Sequence, residues 1–229
     1  MSTTRLLHVD DEADIREIVE LALSLDPDFE VRPCGSGAEA IPLAGEWLPF
    51  LILLDVMMPA MDGPATLAAL RKNEDTSDIP VLFMTARAQS REIDRFMALG
   101  AQGVILKPFD PMTLASEVHR HLRNVKRETL RGILRRRGRK DAAALRAYRA
   151  HLAESLDAEA LEQIKRTAVD IAGAANLAGN ADIAMLAGAL EKAAAAPFGS
   201  ATQVAVTAAL DRFIVRLETY EQESTAAMA

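Results

Sequence analysis

Two periodicities in one chain predict a two-domain protein, an α/β domain with a doubly wound five-stranded parallel sheet followed by an all-α antiparallel helical bundle. Three observations predict it. In the first 124 residues short apolar runs alternate with stretches of helical spacing. From Asp141 onward strand signals vanish and alanine-rich helical spacing takes over. Between them lies a basic run, Arg123, Lys126, Arg127, Arg131, Arg135, Arg136, Arg137, Arg139 and Lys140, set against a net charge of −7 for the whole chain. The expected division is therefore 1–124, a basic helical linker over 125–140, and a helical domain over 141–229.

The elements follow in order. Strands are expected near residues 5–9, 30–34, 50–55, 81–84 and 103–106, with helices near 13–25, 37–44, 64–71 and 91–99. Nearly continuous apolar strands separated by helices demand a parallel sheet covered on both faces. A last helix of this domain starts near Pro111, where proline suits a first helical position, and is expected to run on into the basic segment, with Gly132 and Gly138 as places where it breaks. Further helices are expected near 142–154, 158–178, 181–196 and 201–221, with Gly179-Asn180 and Pro197-Phe198-Gly199 as turns. Asp157 is a candidate cap for the second of these, and Ser200 or Thr202 for the last. Four helices with short connections make an antiparallel bundle the default.

Composition narrows the function. At 229 residues the chain can bury two modest cores, with 50% hydrophobic and 4% aromatic residues. It carries no apolar stretch long enough to span a bilayer and no signal-peptide pattern at its start, so a cytoplasmic protein is expected. Cys34, the single cysteine, excludes an intramolecular disulfide and a cysteine metal cage; it is expected to pack at the end of the second strand.

Chemistry concentrates at the strand ends. Asp55 closes the run Phe50-Leu51-Ile52-Leu53-Leu54, Asp10 and Asp11 close Leu6-Leu7-His8-Val9, and Lys107 closes Gly103-Val104-Ile105-Leu106. If the strands are parallel, three carboxylates and one ammonium meet at one sheet edge. The carboxylates would repel one another unless a cation neutralised them, and a hard divalent ion with oxygen ligands answers that need.

This constellation resembles the receiver domain of two-component response regulators, whose sheet is flavodoxin-like. The matching residues are Asp10-Asp11, Asp55 with Met58-Pro59 and Asp62-Gly63, Thr85-Ala86, and Lys107-Pro108-Phe109. The resemblance implies that Asp55 is the phosphoacceptor. It makes Asp11 and the backbone carbonyl of Met57 ligands of Mg²⁺ beside Asp55, with Asp10 a partner acting through water. It also implies that Lys107 pairs with the phosphoryl group, that Thr85 supplies a mobile hydroxyl, and that the Lys107–Pro108 bond is cis. The aromatic residue usual three positions before the lysine is Val104 here, which puts the usual threonine–aromatic coupling in doubt; Phe109 reads as loop packing.

The stretch Val169-Asp170-Ile171-Ala172-Gly173-Ala174-Ala175-Asn176-Leu177-Ala178-Gly179, with Leu190-Glu191, resembles a histidine-phosphotransfer domain. The acceptor histidine of that family falls on Val169 and its lysine on Ala172, so the resemblance implies docking architecture without transfer chemistry. Of the other histidines, His151 lacks an acceptor motif around it, His119 and His121 read as solvent-facing or linker-contacting, and His8 as packed beside the sheet.

The expected protein is a response regulator, not a metabolic enzyme, with a sensor histidine kinase or phosphotransfer protein upstream and a protein target downstream. Homodimerisation is left open. Two alternatives stand: a nucleic-acid-binding regulator using the basic run, disfavoured because no aromatics interleave it, and a relay protein using His151. A hydrolytic output domain is disfavoured, because the C-terminal half shows no metal-ligand spacing, no nucleophile with a base and no glycine-rich phosphate loop.

Overall fold

A single parallel sheet of order β2-β1-β3-β4-β5 organises the first half of the computed structural model, which describes residues 4–86, 89–154, 158–197 and 199–226. Its strands are β1 (Thr4–Val9), β2 (Phe29–Cys34), β3 (Leu51–Asp55), β4 (Val81–Thr85) and β5 (Gly103–Leu106). Helices α1 (Ala13–Ser24), α2 (Gly37–Trp47), α3 (Gly63–Leu70), α4 (Ser90–Ala98) and α5 (Pro111–Arg123) alternate with them. Side-chain alternation divides the strands between two cores. Leu7, Val9, Ile52, Leu54, Val81 and Phe83 pack with Ala40, Ala44, Trp47, Leu67, Leu70 and Phe96 of α2, α3 and α4. On the other face, Leu6, Leu51, Leu53, Leu82, Met84 and Ile105 meet Val19, Ala22 and Leu23 of α1 and Leu114, Val118 and Leu122 of α5.

The loops at the carboxyl ends of the strands are held by local chemistry. Asp62 caps α3 by accepting from the Ala65 amide at 2.8 Å, and Pro64 occupies the first turn. Gly63 is required by close approach, since a Cβ there would lie 2.3 Å from the carbonyl oxygen of Asp55. Cys34 is buried at the end of β2, where burial pushes its thiol up to about 11, and Phe109 packs against the α1/α5 core.

The chain forms two compact units, one of residues 4–129 and a second from Leu130 onward. The second consists of α6 (Arg127–Glu154), which starts just before that boundary, α7 (Ala158–Leu177), α8 (Ala181–Ala194) and α9 (Ser200–Ala226). Ion pairs Arg149–Asp211 at 2.9 Å, Arg146–Glu218 and Arg139–Glu221 at 3.9 Å set α6 and α9 antiparallel. Buried Ala168, Ala172, Gly173, Ala174 and Ala175 on α7 and Ala187 and Ala194 on α8 account for the alanine-rich composition through close helix packing.

Several sequence expectations need correction. The helix from Pro111 does not run unbroken into the basic segment: α5 ends at Arg123, Asn124 caps it, and α6 starts at Arg127. Gly132 and Gly138 do not break α6. At Gly138 an added Cβ would stand 3.4 Å from Leu217 Cδ2 of α9, an ordinary contact, so α9 packs over this point of α6. The basic residues are not uniformly solvated, because Arg137 is buried and Arg135 and Arg136 are half-buried. Ser200 is the first residue of α9, and the Thr202 hydroxyl, within its first turn, donates back to the Pro197 carbonyl. Asp157 and Phe198 lie outside the described residues. His119 is not simply solvent-facing: its Nε2 lies 2.9 Å from Asp26 Oδ2 and its ring stacks on Phe29 with centroids 4.5 Å apart. The half-buried His121 lies over Gly103 of β5.

Candidate functional site

Three of the strand-end charges converge where the strand order reverses between β1 and β3, the switch point at which open α/β sheets bind ligands. Asp10 follows β1 and Asp55 ends β3. Lys107, just past β5, reaches across β4, a span of roughly 10 Å at two strand spacings. Its Nζ donates to Asp10 Oδ2 at 2.6 Å and to Asp55 Oδ1 at 2.5 Å. A backbone bond places the lysine, whose amide donates to the Thr85 carbonyl at 2.8 Å; the Lys107–Pro108 bond is cis. The second oxygen of each carboxylate is also held, Asp55 Oδ2 by the Met57 amide at 2.6 Å and Asp10 Oδ1 by the Glu12 amide at 2.9 Å.

Asp10 is fully buried and Asp55 is 6% exposed, whereas Asp11 is exposed beside them. Burial raises the Asp55 carboxyl above its ordinary range, and the charge of Asp10 adds to this against the opposing hydrogen bond from Lys107. Burial alone would lower Lys107, but its bonds to Asp10 and Asp55 outweigh that and raise it. One ammonium is thus shared by two buried carboxylates with a third close in sequence. That surplus of hard oxygen donors fits a divalent cation, with Asp10, Asp11, Asp55 and the Met57 carbonyl as the groups able to hold it.

Thr85 ends β4, buried, opposite Leu106 of β5. Val104, in the place of the aromatic residue, is half-buried and pairs in register with Phe83. His8 is fully buried in β1 with its Nε2 4.0 Å from Asp10 Oδ2, and burial pushes it down to about 4, so it is neutral at ordinary pH.

Sequence reasoning did not single out Arg16. From α1 its Nη1 donates to the carbonyls of both Asp10 and Asp11, at 2.7 and 2.9 Å. Its only signal in the sequence was an arginine one turn into the helix that follows the acidic pair, a position that reads equally well as solvated.

Known proteins match this half of the chain. The Response regulator receiver domain family matches residues 6–119. The chemotaxis response regulator CheY4 of Vibrio cholerae is 32% identical, with a TM-score of 0.50 over 52% of this chain and 99% of that one. The probable transcriptional regulator ycf27 of Porphyridium aerugineum is 36% identical over 125 residues, 55% of this chain and 50% of the relative. The DNA-binding dual master transcriptional regulator RpaA of Synechocystis sp. is 34% identical over 54% of this chain and 51% of its own length. The chain spans about half the length of the curated relatives it matches. With a five-stranded sheet of receiver topology, strand-end acids bridged by a lysine, and this family match, the chain belongs to the response regulator receiver family of two-component signalling.

Proposed function

We propose that Asp55 accepts a phosphoryl group and that the helical unit carries the resulting signal to a protein target. The observation that supports this most is the shared lysine: Lys107 bridges Asp10 and Asp55, so one cation already sits where the charge of an incoming phosphoryl group would need neutralising. A bound Mg²⁺, held by Asp10, Asp11, Asp55 and the Met57 carbonyl, would supply further neutralisation of phosphoryl oxygens. In the transfer an Asp55 oxygen forms the new bond to phosphorus as the bond from phosphorus to the donor's leaving atom breaks. Lys107 then exchanges Asp55 Oδ1 for a phosphoryl oxygen, and the Thr85 hydroxyl at the neighbouring strand end follows. The upstream donor is a sensor histidine kinase or a phosphotransfer protein, and the setting is cytoplasmic; no helix among the described residues is long and apolar enough to cross a membrane.

The output follows by population shift, the phosphorylated loops favouring one arrangement of the chain over another. The helical unit is read as a histidine-phosphotransfer-like bundle without its acceptor. Its half-buried Val169 on α7 offers no atom that could take a phosphoryl group, and buried Ala172 and Gly173 take up the small-residue face. The division into a receiver over 1–124, a basic segment over 125–140 and an output domain over 141–229 belongs to the same reading.

Asp55→Asn tests it. Hydrogen exchange of the whole chain, with and without a small phosphodonor and Mg²⁺, should change in wild type and stay unchanged in the variant, which keeps its fold. A donor-dependent change that persists in Asp55→Asn would sink the mechanism.

The names of two relatives, both transcriptional regulators, support a second reading in which the basic run contacts nucleic acid. Arg139 already pairs with an acid of α9 and Arg137 is buried, so the residues to neutralise are the exposed Arg127 and Arg131. Salt-sensitive DNA binding lost in that double variant would favour nucleic acid over a protein target.

A further inference from the structure

We infer that Arg16 is a positioning residue that builds the divalent-cation site by locking the backbone of the acidic pair. The inference rests on the cation reading above. Arg16 Nη1 forks to two consecutive carbonyls, Asp10 at 2.7 Å and Asp11 at 2.9 Å. Consecutive peptide planes tied to one guanidinium nitrogen fix the Cα–Cβ directions of both aspartates. The loop is tied at other points as well. The Asp10 amide donates to the Cys34 carbonyl at 3.1 Å, the Arg16 amide to the Glu12 carbonyl at 3.1 Å, and the Glu12 amide to Asp10 Oδ1 at 2.9 Å.

The guanidinium also lies alongside the next loop. A Cβ on Gly35, just past β2, would stand 3.8 Å from Arg16 Nη1 and 3.7 Å from Glu39 Oε2, the oxygen that accepts from the Gly35 amide at 3.0 Å. Arg16 therefore spans the β1–α1 and β2–α2 loops at the carboxyl edge of the sheet. Asp11 gains most, because Asp10 has its own anchors in Lys107 and Glu12 while Asp11 is exposed. Without the fork, Asp11 would have to be ordered when the cation arrives, at a cost to affinity.

Two effects of Arg16 oppose each other. Its charge sits near the site and repels an incoming cation, whereas its hydrogen bonds pre-order the ligands. Arg16 is half-exposed, so solvent screens the repulsion, while the hydrogen bonds are short and direct. Pre-ordering is the larger effect, and the two predict opposite signs. Removing the side chain weakens cation binding if positioning dominates and tightens it if charge dominates.

The test measures Mn²⁺ binding to the intact protein by electron paramagnetic resonance, for wild type, Arg16→Met, Arg16→Lys and Asp11→Asn. Arg16→Lys keeps the charge but shortens the reach and loses the fork. The expected result is a dissociation constant raised about tenfold in both Arg16 variants, with the phosphorylation rate at saturating Mg²⁺ back at the wild-type value. Fluorescence of Trp47, the single tryptophan, checks that each variant is folded, and Arg16→Lys decides the matter if Arg16→Met does not fold. Affinity within twofold of wild type in both variants, or tighter binding by Arg16→Met, would overturn the positioning role and leave the cation site standing. A wild-type protein that binds no Mn²⁺, or an Asp11→Asn that binds as wild type does, would overturn the cation reading and this inference with it.

Discussion

Each half of the chain buries a cation between two carboxylates, and the two clusters are built differently. In the receiver, Lys107 bonds Asp10 and Asp55 at 2.6 and 2.5 Å from a loop at the sheet edge, and its side chain stays 14% exposed. In the helical unit, Arg137 of α6 is 1% exposed and stands 3.9 Å from both Asp141, one turn along, and Asp170 of α7. The first is short, convergent and open on one side, so a ligand can enter and exchange partners with the lysine. The second holds a buried guanidinium at longer range from two carboxylates that keep 18% and 11% exposure. Burying a charged group is costly, and removing one partner leaves the others uncompensated. The difference teaches that short convergent bonds and alternative partners, more than burial, separate a reactive ionic cluster from a structural one.

Arg137→Met should show the largest effect and sharpens the contrast. Removing the guanidinium leaves two carboxylates in a helix interface, and the helical unit should lose about 3–5 kcal/mol, read by circular dichroism in a urea titration. Loss of under about 1 kcal/mol would show that the cluster contributes little to the bundle. Lys107→Ala should act on chemistry instead, slowing phosphoryl uptake from a small donor by about 10²–10³-fold while the protein still unfolds cooperatively. Wild-type uptake in that variant would break the comparison.

His8 gives the next effect in size, through pH. Its folded pKa is depressed to about 4 from an ordinary 6.5, so the unfolded chain takes up the proton first as pH falls. The stability it contributes is present above pH 6.5 and is lost as pH falls toward 4, by about 3 kcal/mol over that window. Asp55 has the opposite sign: its raised folded pKa makes its contribution present under acid conditions and lost as pH rises through a value above the ordinary carboxylate range. Acid unfolding followed at Trp47 should therefore flatten between pH 6.5 and 4 in His8→Leu, and an unchanged acid slope would remove His8 as the cause. The smallest effect belongs to the exposed Arg149–Asp211 pair, where a double-mutant cycle should give about 0.2–1 kcal/mol, falling with added salt.

The receiver was legible because its signals are local. A strand of apolar residues ending in one charged group fixes that group at the sheet edge, so Asp55, Asp10 and Lys107 could be placed together from sequence. Arg16 could not, because its role lies in two backbone carbonyls, which any sequence possesses. The break over residues 124–126 was hidden by a run of good helix formers around Asn124. Arg137 was read with its basic neighbours as part of a linker, although Leu130, Ile133, Leu134 and Arg137 share one buried helical stripe with Leu145. A charged residue on an apolar stripe was the signal, and the count of basic residues obscured it.

The most direct measurement is to incubate the intact protein with a small phosphodonor and Mg²⁺, take its intact mass and map the modified residue. One phosphoryl group on Asp55, with none on the helical unit, is the result expected if only the receiver cluster is reactive. Phosphate on His151, or none on Asp55, would contradict that division.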